Sequence, residues 1–555
     1  MQNKPWYQYY DAHVPHSLDY PGINVHELLE QTALKYPHKP CMIFEGTSIS
    51  YRTLSRLSNH VAIHLRHIGL QKGQRVGLIL PNIPQFLIAY YAILKAGGVV
   101  VAINPLFRAP EIERILRETD VRIAIILNQV HSLINQLMQK FELTTIITCR
   151  TNNIDRLSAS DELESEIPEE GSKQKYAQEL EFIELLKKPE KTLEIENQIS
   201  PDDPAIFQYT GGTTGIPKAA IGLHRNLVAN TIQFIRWCDL KEGQEVIIAA
   251  LPLFHVYGMV LTMNLGVALG ACIVLIPNPR DVGSILTAIE DYKATFYPGV
   301  PSMYQSINQH PDVKAGKYDL RSIKACISGS ATLHPEIKNT FENLTGGKLL
   351  EGYGLSEAPT ATHCNPLYGE NRTGSIGLPL PDVDCRVVDV DSGKIDLNPG
   401  KIGELIIKGP QIMRGYHNMP EETKFTLRNG WLYTGDVVRM DKDGYFYIID
   451  RKKSLIKVSG FQVWPNEIEA VIASHPGVEE VGVGGVPDSA RGEKVIAWVV
   501  LQGQKKLGAK EIIRWCRERL APYKIPKEIY FIDSLPRSGV GKILRKELIK
   551  AYLNQ

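Results

Sequence analysis

Apolar and polar positions follow two rhythms along the chain. Arg75-Val76-Gly77-Leu78-Ile79-Leu80-Pro81 is a short apolar run and reads as a buried strand. Ile83 to Ala96 has helical apolar spacing, and Gly97 to Pro105 reads as a second strand. A helix from Ala109 to Glu118 and a third strand from Val121 to Leu127 follow. Strands alternating with helices imply a parallel sheet covered on both faces. The same unit recurs. Val246 to Pro252 ends in Leu-Pro, as Leu80-Pro81 does, and a helix is expected from Tyr257 to Ala268. A strand (Gly270 to Pro277), a helix (Val282 to Tyr292) and a strand (Ala294 to Pro298) complete it. Two similar α/β subdomains are therefore expected. Before them, residues 24 to 72 read as helices around a hairpin turning at Glu45-Gly46-Thr47. Between them, Asn152 to Asp203 is rich in Glu, Ser and Lys and reads as a surface excursion.

After Gly374 the rhythm changes. Runs such as Asp384 to Val390, Gly403 to Lys408 and Tyr445 to Asp450 are separated by Pro, Gly and Asp turns, which predicts an antiparallel sheet or small barrel. From about Ser454 a compact α+β segment follows, with a helix from Asn466 to Ser474 opened by Pro465. Its strands are Val481 to Val486 and Val495 to Leu501, and its second helix Lys510 to Leu520. The expected class is α/β: a large N-terminal domain of two similar α/β subdomains plus a small β-barrel, then a small α+β C-terminal domain.

The length of 555 residues fits several domains. A net charge of +1 argues against a nucleic-acid binder, which needs a basic surface. The first residues carry no charged-then-apolar signal pattern. Phe86 to Ile103 is the longest apolar stretch, but Lys95 and a glycine pair break it. Eight scattered cysteines with no C-x-x-C pair fit free thiols in a reducing cytoplasm.

One loop carries the chemistry. Tyr209 is followed by Thr210, Gly211, Gly212, Thr213, Thr214, Gly215, Ile216, Pro217 and Lys218, after the strand Ala205-Ile206-Phe207. Glycines admit an anion close to the backbone, amides and hydroxyls donate to it, and Lys218 adds charge. The loop suits phosphates but is no Walker loop, because Ile216 and Pro217 separate the last glycine from the lysine. The plain alternative is a Gly/Thr-rich surface turn. Three further stretches stand out: Glu351 to Glu357 in a turn after the strand Lys348 to Leu350, Leu432 to Asp436 at a strand end, and the basic loop Pro536 to Arg545 opening the last helix.

Together these motifs resemble the adenylate-forming superfamily of acyl-CoA synthetases, luciferases and nonribosomal adenylation domains. The resemblance spans about residues 24 to 549, with motifs in family order. It implies an AMP-binding domain at 1–452, a mobile C-terminal domain at 454–555 and a hinge at about Lys453. The substrates implied are ATP, CoA and a carboxylic acid, with Mg2+. The phosphate loop would be Thr210 to Lys218. Gly352, Tyr353 and Gly354 would hold adenine, with Gly329 and Ser330 beside the nucleotide. Asp436 and Arg451 would take the ribose. Glu357 with Ser356 or Thr213 would hold Mg2+. His255, Met259 and Gly299 would line the acyl pocket. Lys542 would stabilise charge during adenylation, with His255 and Glu357 also at the reacting centre. Lys453, Ser459 and Gly460 would serve the hinge and the CoA tunnel.

The segments around Tyr297-Pro298-Gly299, Ser328-Gly329-Ser330 and Gly352-Tyr353-Gly354 are most like bacterial long-chain fatty acid–CoA ligases. The chain departs from the usual pattern at Ser356, where a threonine is common. It departs again at Ser454, often Asp, and near Met259, where some relatives have a gating tryptophan. A medium-chain or aryl acid–CoA ligase, a phosphate-transferring kinase and a non-catalytic nucleotide binder are the alternatives. Nucleic acid is not expected as a partner. A greasy substrate leaves open a peripheral membrane contact, and a homodimer is one option for assembly.

Overall fold

The structure is a computed structural model. It describes all residues except 1–3, 139–142, 152–177, 190–198, 211–216, 460, 489–490, 504–506, 538–542 and 555.

The first apolar rhythm folds as expected. Strands Arg75–Ile79, Val99–Ala102 and Ile123–Leu127 are parallel neighbours. Helix Pro84–Lys95 lies between the first two in sequence and is buried at every position except Lys95. An all-round apolar helix must sit inside the protein, and Lys95 escapes by pairing with Glu30 at 2.8 Å. Among the described residues the sheet has eight strands, and it continues on one side through Pro204–Tyr209. On the other side lie Thr145–Cys149 and Gln178–Glu181.

The last of these strands corrects part of the sequence reading. Gln178–Glu181 is an edge strand, and Phe182, Leu185 and Leu186 after it are buried. This part of the acidic stretch is therefore not a surface excursion; apolar residues on a single turn sufficed to anchor it. Most of the rest of that stretch lies outside the described residues.

The second unit forms its own sheet from Val246–Ala249, Cys272–Leu275, Pro40–Phe44 and Thr47–Ser50. The early hairpin thus belongs to it. Glu45 (φ +47°) and Gly46 (φ +81°) make the turn, as two-residue hairpins require. Two expectations are adjusted here. The helix expected from Tyr257 to Ala268 is three pieces, with a π-helical turn at Met259–Asn264. Thr262 Oγ1 donates to the Gly258 carbonyl, a back-bond that loosens a helix. The strand expected at Ala294 to Pro298 shrinks to bridges, with Phe296 between Ile247 and Ala325 and Gly299 beside Ser328. Pro298 has no N–H for a ladder.

The two subdomains meet at their matched Leu-Pro ends. Buried Asn82 donates to the carbonyls of Ala249 and Leu251, both at 2.8 Å, and accepts the Leu253 N–H at 2.9 Å. The expected barrel region is a five-stranded antiparallel sheet that includes Asp384–Val388, Ile402–Lys408, Trp431–Met440 and Phe446–Arg451. The C-terminal sheet pairs Gly492–Leu501 with Val478–Asp488, Ile456–Val458 and Glu528–Phe531. Helices Pro465–Ala473, Ala509–Arg517 and Arg545–Leu553 accompany it. All eight cysteines are free and buried. No described helix is long and apolar enough to cross a membrane.

Candidate nucleotide and acyl site

Two antiparallel strands flank the Gly/Thr loop in the chain. Pro204–Tyr209 and Ala219–Leu223 are antiparallel, and the Thr210 N–H donates to the Lys218 carbonyl at 2.9 Å, closing the base. Gly211, Gly212, Thr213, Thr214 and Gly215 lie outside the described residues. At the base, the Lys218 ammonium is paired with Glu422 and sits 5.0 Å above the Tyr416 ring. The Tyr416 hydroxyl in turn donates to Glu357 Oε1 at 2.8 Å.

The adenine motif is not the turn expected. Strand Lys348–Leu355 runs through Gly352, Tyr353 and Gly354 and pairs with Ala358–Cys364, leaving Ser356 and Glu357 as the turn. A Cβ on Gly354 would stand 1.8 Å from the Thr360 carbonyl oxygen. Glycine therefore lets the two strands pinch together. Asn230 steadies the partner strand by accepting the N–H groups of Thr360 and Ala361 at 2.8 and 3.1 Å. Ser356 and Glu357 offer one hydroxyl and one carboxylate. That sparse oxygen set suits Mg2+, which takes most ligands from phosphates and water. Among the described residues there is no cluster of three or more His, Cys, Asp or Glu that could hold a metal.

Asp436 is likewise inside a strand, not at its end. It lies opposite Arg451 in the ladder between Trp431–Met440 and Phe446–Arg451. The Tyr353 hydroxyl donates to its Oδ2 at 2.5 Å, and Arg451 Nε lies 2.9 Å from its Oδ1. The carboxylate is 3% exposed, so these partners stabilise a charge that water barely reaches. A carboxylate has about four acceptor directions, which leaves room for sugar hydroxyls. Asp436, then Tyr353 and Glu357, hold Arg451 further into its charged form. Lys453, in the single turn Lys452–Ser454, is pulled below the usual lysine range by desolvation first, then by Lys218 and, across the domains, Lys546.

The acyl-side residues gather around Tyr257, which the sequence reading had not singled out. Its hydroxyl is within hydrogen-bond reach of the carbonyls of Gly299 (3.0 Å) and Ile327 (2.8 Å). Its ring covers Gly329, where a Cβ would stand 3.0 Å from a ring carbon. Ser330 follows in the left-handed region at φ +69°. His255 Nδ1 accepts the Tyr257 N–H at 3.2 Å, and Met259 is fully buried. Strand Ala325–Ser328 runs parallel to the adenine strand, with Ser328 beside Glu351. Gly299, beside Ser328, is thus one strand removed from the strand that carries Gly352 to Gly354. Ser459 (φ +52°) donates its N–H to the Arg491 carbonyl at 2.8 Å. Gly460 and Lys542 lie outside the described residues.

Glu351, just before Gly352, is buried and pushed by desolvation from the usual 4.5 up to about 7. Hydrogen bonds from the Leu333 and Gly374 backbones pull the other way. The folded state therefore holds this proton more tightly than the unfolded chain does. That contribution is complete below about pH 4.5 and is lost as pH rises through about 7, at most about 3 kcal/mol. Glu351→Gln keeps the acceptor for Leu333 and removes the titration. Its Tm should gain on wild type steadily between pH 4.5 and 7, measured by thermal melts across that window. A constant difference would contradict the assignment.

Fold and site together define an α/β enzyme of the adenylate-forming kind. The sequence model described as AMP-binding enzyme matches residues 29–417, and that described as AMP-binding enzyme C-terminal domain matches 467–542. The chain belongs to the AMP-binding enzyme family. It is similar to a long-chain-fatty-acid–CoA ligase of Bacillus subtilis (strain 168), at 40% identity over 564 residues, covering 99% of this chain and 98% of that protein. Among solved structures it resembles ATP-bound MatB from Rhodopseudomonas palustris, with TM-score 0.81 and 29% identity, covering 96% of this chain and 99% of that one. The apo form of the same protein gives a TM-score of 0.71 at the same identity and coverage.

Proposed function

We propose that the chain is a long-chain fatty acid–CoA ligase. A fatty carboxylate attacks the α-phosphorus of ATP and expels pyrophosphate. The thiol of CoA then attacks the carbonyl carbon of the acyl-adenylate, forming the thioester and releasing AMP. The observation that carries this reading is the cluster of Asp436, Tyr353 and Arg451, with the Tyr353 strand one strand removed from Gly299. A phosphate loop alone would serve a kinase equally well. A ribose carboxylate next to an apolar wall serves the joining of a nucleotide to an acid.

Asp436 and Arg451 take the ribose, Tyr353 faces adenine, and Thr210 to Thr214 with Lys218 take the outer phosphates. Glu357 and Ser356 would hold Mg2+, which would supply positive charge against that developing on the phosphates. Lys542 adds a cation at the α-phosphate, where negative charge builds. Residues 1–452 and 454–555 act as two bodies hinged at Lys453, with Ser459 and Gly460 shaping the thiol's path. The greater likeness to ATP-bound than to apo MatB supports an arrangement suited to the first step.

The acid's length is the finer point, supported by the name of the Bacillus subtilis relative. A profile of thioester formation against saturated acids of rising length checks it. The expected optimum lies among long chains; an optimum at medium-chain or aryl acids would replace this substrate while leaving the chemistry in place.

A further inference from the structure

The hinge strand ends in a carboxylate that holds the second domain. Asp450 is the next-to-last residue of Phe446–Arg451 and is 1% exposed. Its Oδ2 accepts the Asn466 N–H at 2.9 Å, in the first turn of helix Pro465–Ala473. The Asn466 side-chain amide donates to the Ile449 carbonyl at 2.9 Å. On the other side, Arg545 Nη1 lies 3.7 Å from Asp450 Oδ1. Arg545 opens the last helix and grips Glu469 with two nitrogens, at 2.9 and 2.6 Å, and also donates to Asn466. Beside these groups, Trp464 packs on Val437 of the five-stranded sheet and on Val390 in the turn after Asp384–Val388.

Every one of these contacts to Asp450 joins a residue before Lys453 to one after it. None can persist unchanged through a large turn of the backbone at Lys453, because hinges work by exchanging such contacts. Arg545 also follows Lys542 by three residues in the chain. We infer that Asp450 is a positioning residue: with Asn466 and Arg545 it latches the C-terminal domain in the arrangement that serves adenylate formation, and the latch must open for thioester formation. The inference rests on the two-step reading above.

The energetic logic is one-sided. When the second domain turns away, this buried carboxylate loses its charged partner and the Asn466 N–H and keeps only the N–H of its neighbour Arg451, at 2.7 Å. Asp450→Asn keeps the shape and removes the charge that favours Arg545. Small displacements of a catalytic group cost large factors in rate, so a loosened latch should slow the first step selectively.

The test uses the full-length chain carrying Asp450→Asn and, separately, Arg545→Lys. Acyl-adenylate formation from fatty acid and ATP should fall by about tenfold in each. Thioester formation from supplied acyl-adenylate and CoA should stay within about twofold. A third readout needs no activity. The native cysteines are all buried, so dyes attach to two introduced ones, Lys424→Cys and Lys550→Cys, at exposed positions on either side of the hinge. Without nucleotide, single-molecule energy transfer should show a second population in Asp450→Asn that wild type lacks. An unchanged distribution overturns the latch, as does unchanged adenylation or equal loss of both steps. If wild type forms no acyl-adenylate at all, the functional reading fails, while the energy-transfer comparison still decides the latch.

Discussion

Lys542→Ala should lower acyl-adenylate formation by about two to three orders of magnitude while thioester formation from a supplied acyl-adenylate stays within a few-fold of wild type. The first step joins two anions, a carboxylate and a triphosphate, and its transition state gathers charge around the α-phosphorus. A cation fixed at that point stabilises the transition state more than the ground state, and removing one such group typically costs 10²–10³ in rate. The second step has a neutral carbonyl carbon attacked by a thiol, with AMP leaving, and has no use for the same cation in the same place. Two half-reaction assays on one preparation check this. Equal losses would mean that Lys542 supports the fold or both steps alike.

Asp436→Ala should reduce kcat/KM for ATP by about a hundredfold. Hydrogen bonds to a charged group are worth about 1.5–3 kcal/mol each, and the ribose offers two hydroxyls. The substitution also strands the Tyr353 hydroxyl and Arg451, which now share this carboxylate. A substrate cycle separates the two effects. Wild type should lose most of its preference when ATP is replaced by 2′,3′-dideoxy-ATP, whereas Asp436→Ala should treat the two nucleotides nearly alike. If both proteins lose equally on deoxygenation, Asp436 does not hold the ribose, and its contacts to Tyr353 and Arg451 are purely structural.

Much of this was legible in the residues. Helix Ala109–Glu118 and helix Val282–Tyr292 fall where their apolar spacing places them, because an amphipathic period on a covered sheet leaves little choice. The Gly/Thr loop stood out because Gly, Thr and Lys together are a poor recipe for a core. What escaped was pairing at a distance. Ala219–Leu223 carries no strand signature strong enough to reveal a hairpin, yet it sets the loop's base. Gly352 and Gly354 read as a turn; the strand they form pinches Gly354 against Thr360, a neighbour unseen in one dimension. Asp436 looked like a strand end because Gly435 precedes it, but Gly435 at φ +70° falls at a ladder irregularity within a longer strand. Tyr257, Tyr416 and Asn82 gave no chemical signal of their own. Each matters for a carbonyl or carboxylate supplied by another part of the chain. Asp450 ended an expected strand run, and only its contacts with Asn466 and Arg545 reveal a buried hub.

The central claim is that a carboxylate oxygen attacks the α-phosphorus of ATP. It is tested most directly with a fatty acid labelled with 18O in both carboxyl oxygens, turned over with ATP and CoA, followed by mass spectrometry of the nucleotide product. The reaction should yield AMP carrying one 18O, because the thiol breaks the carbon–oxygen bond and leaves the bridging oxygen on phosphorus. Unlabelled AMP, or ADP in its place, would contradict it.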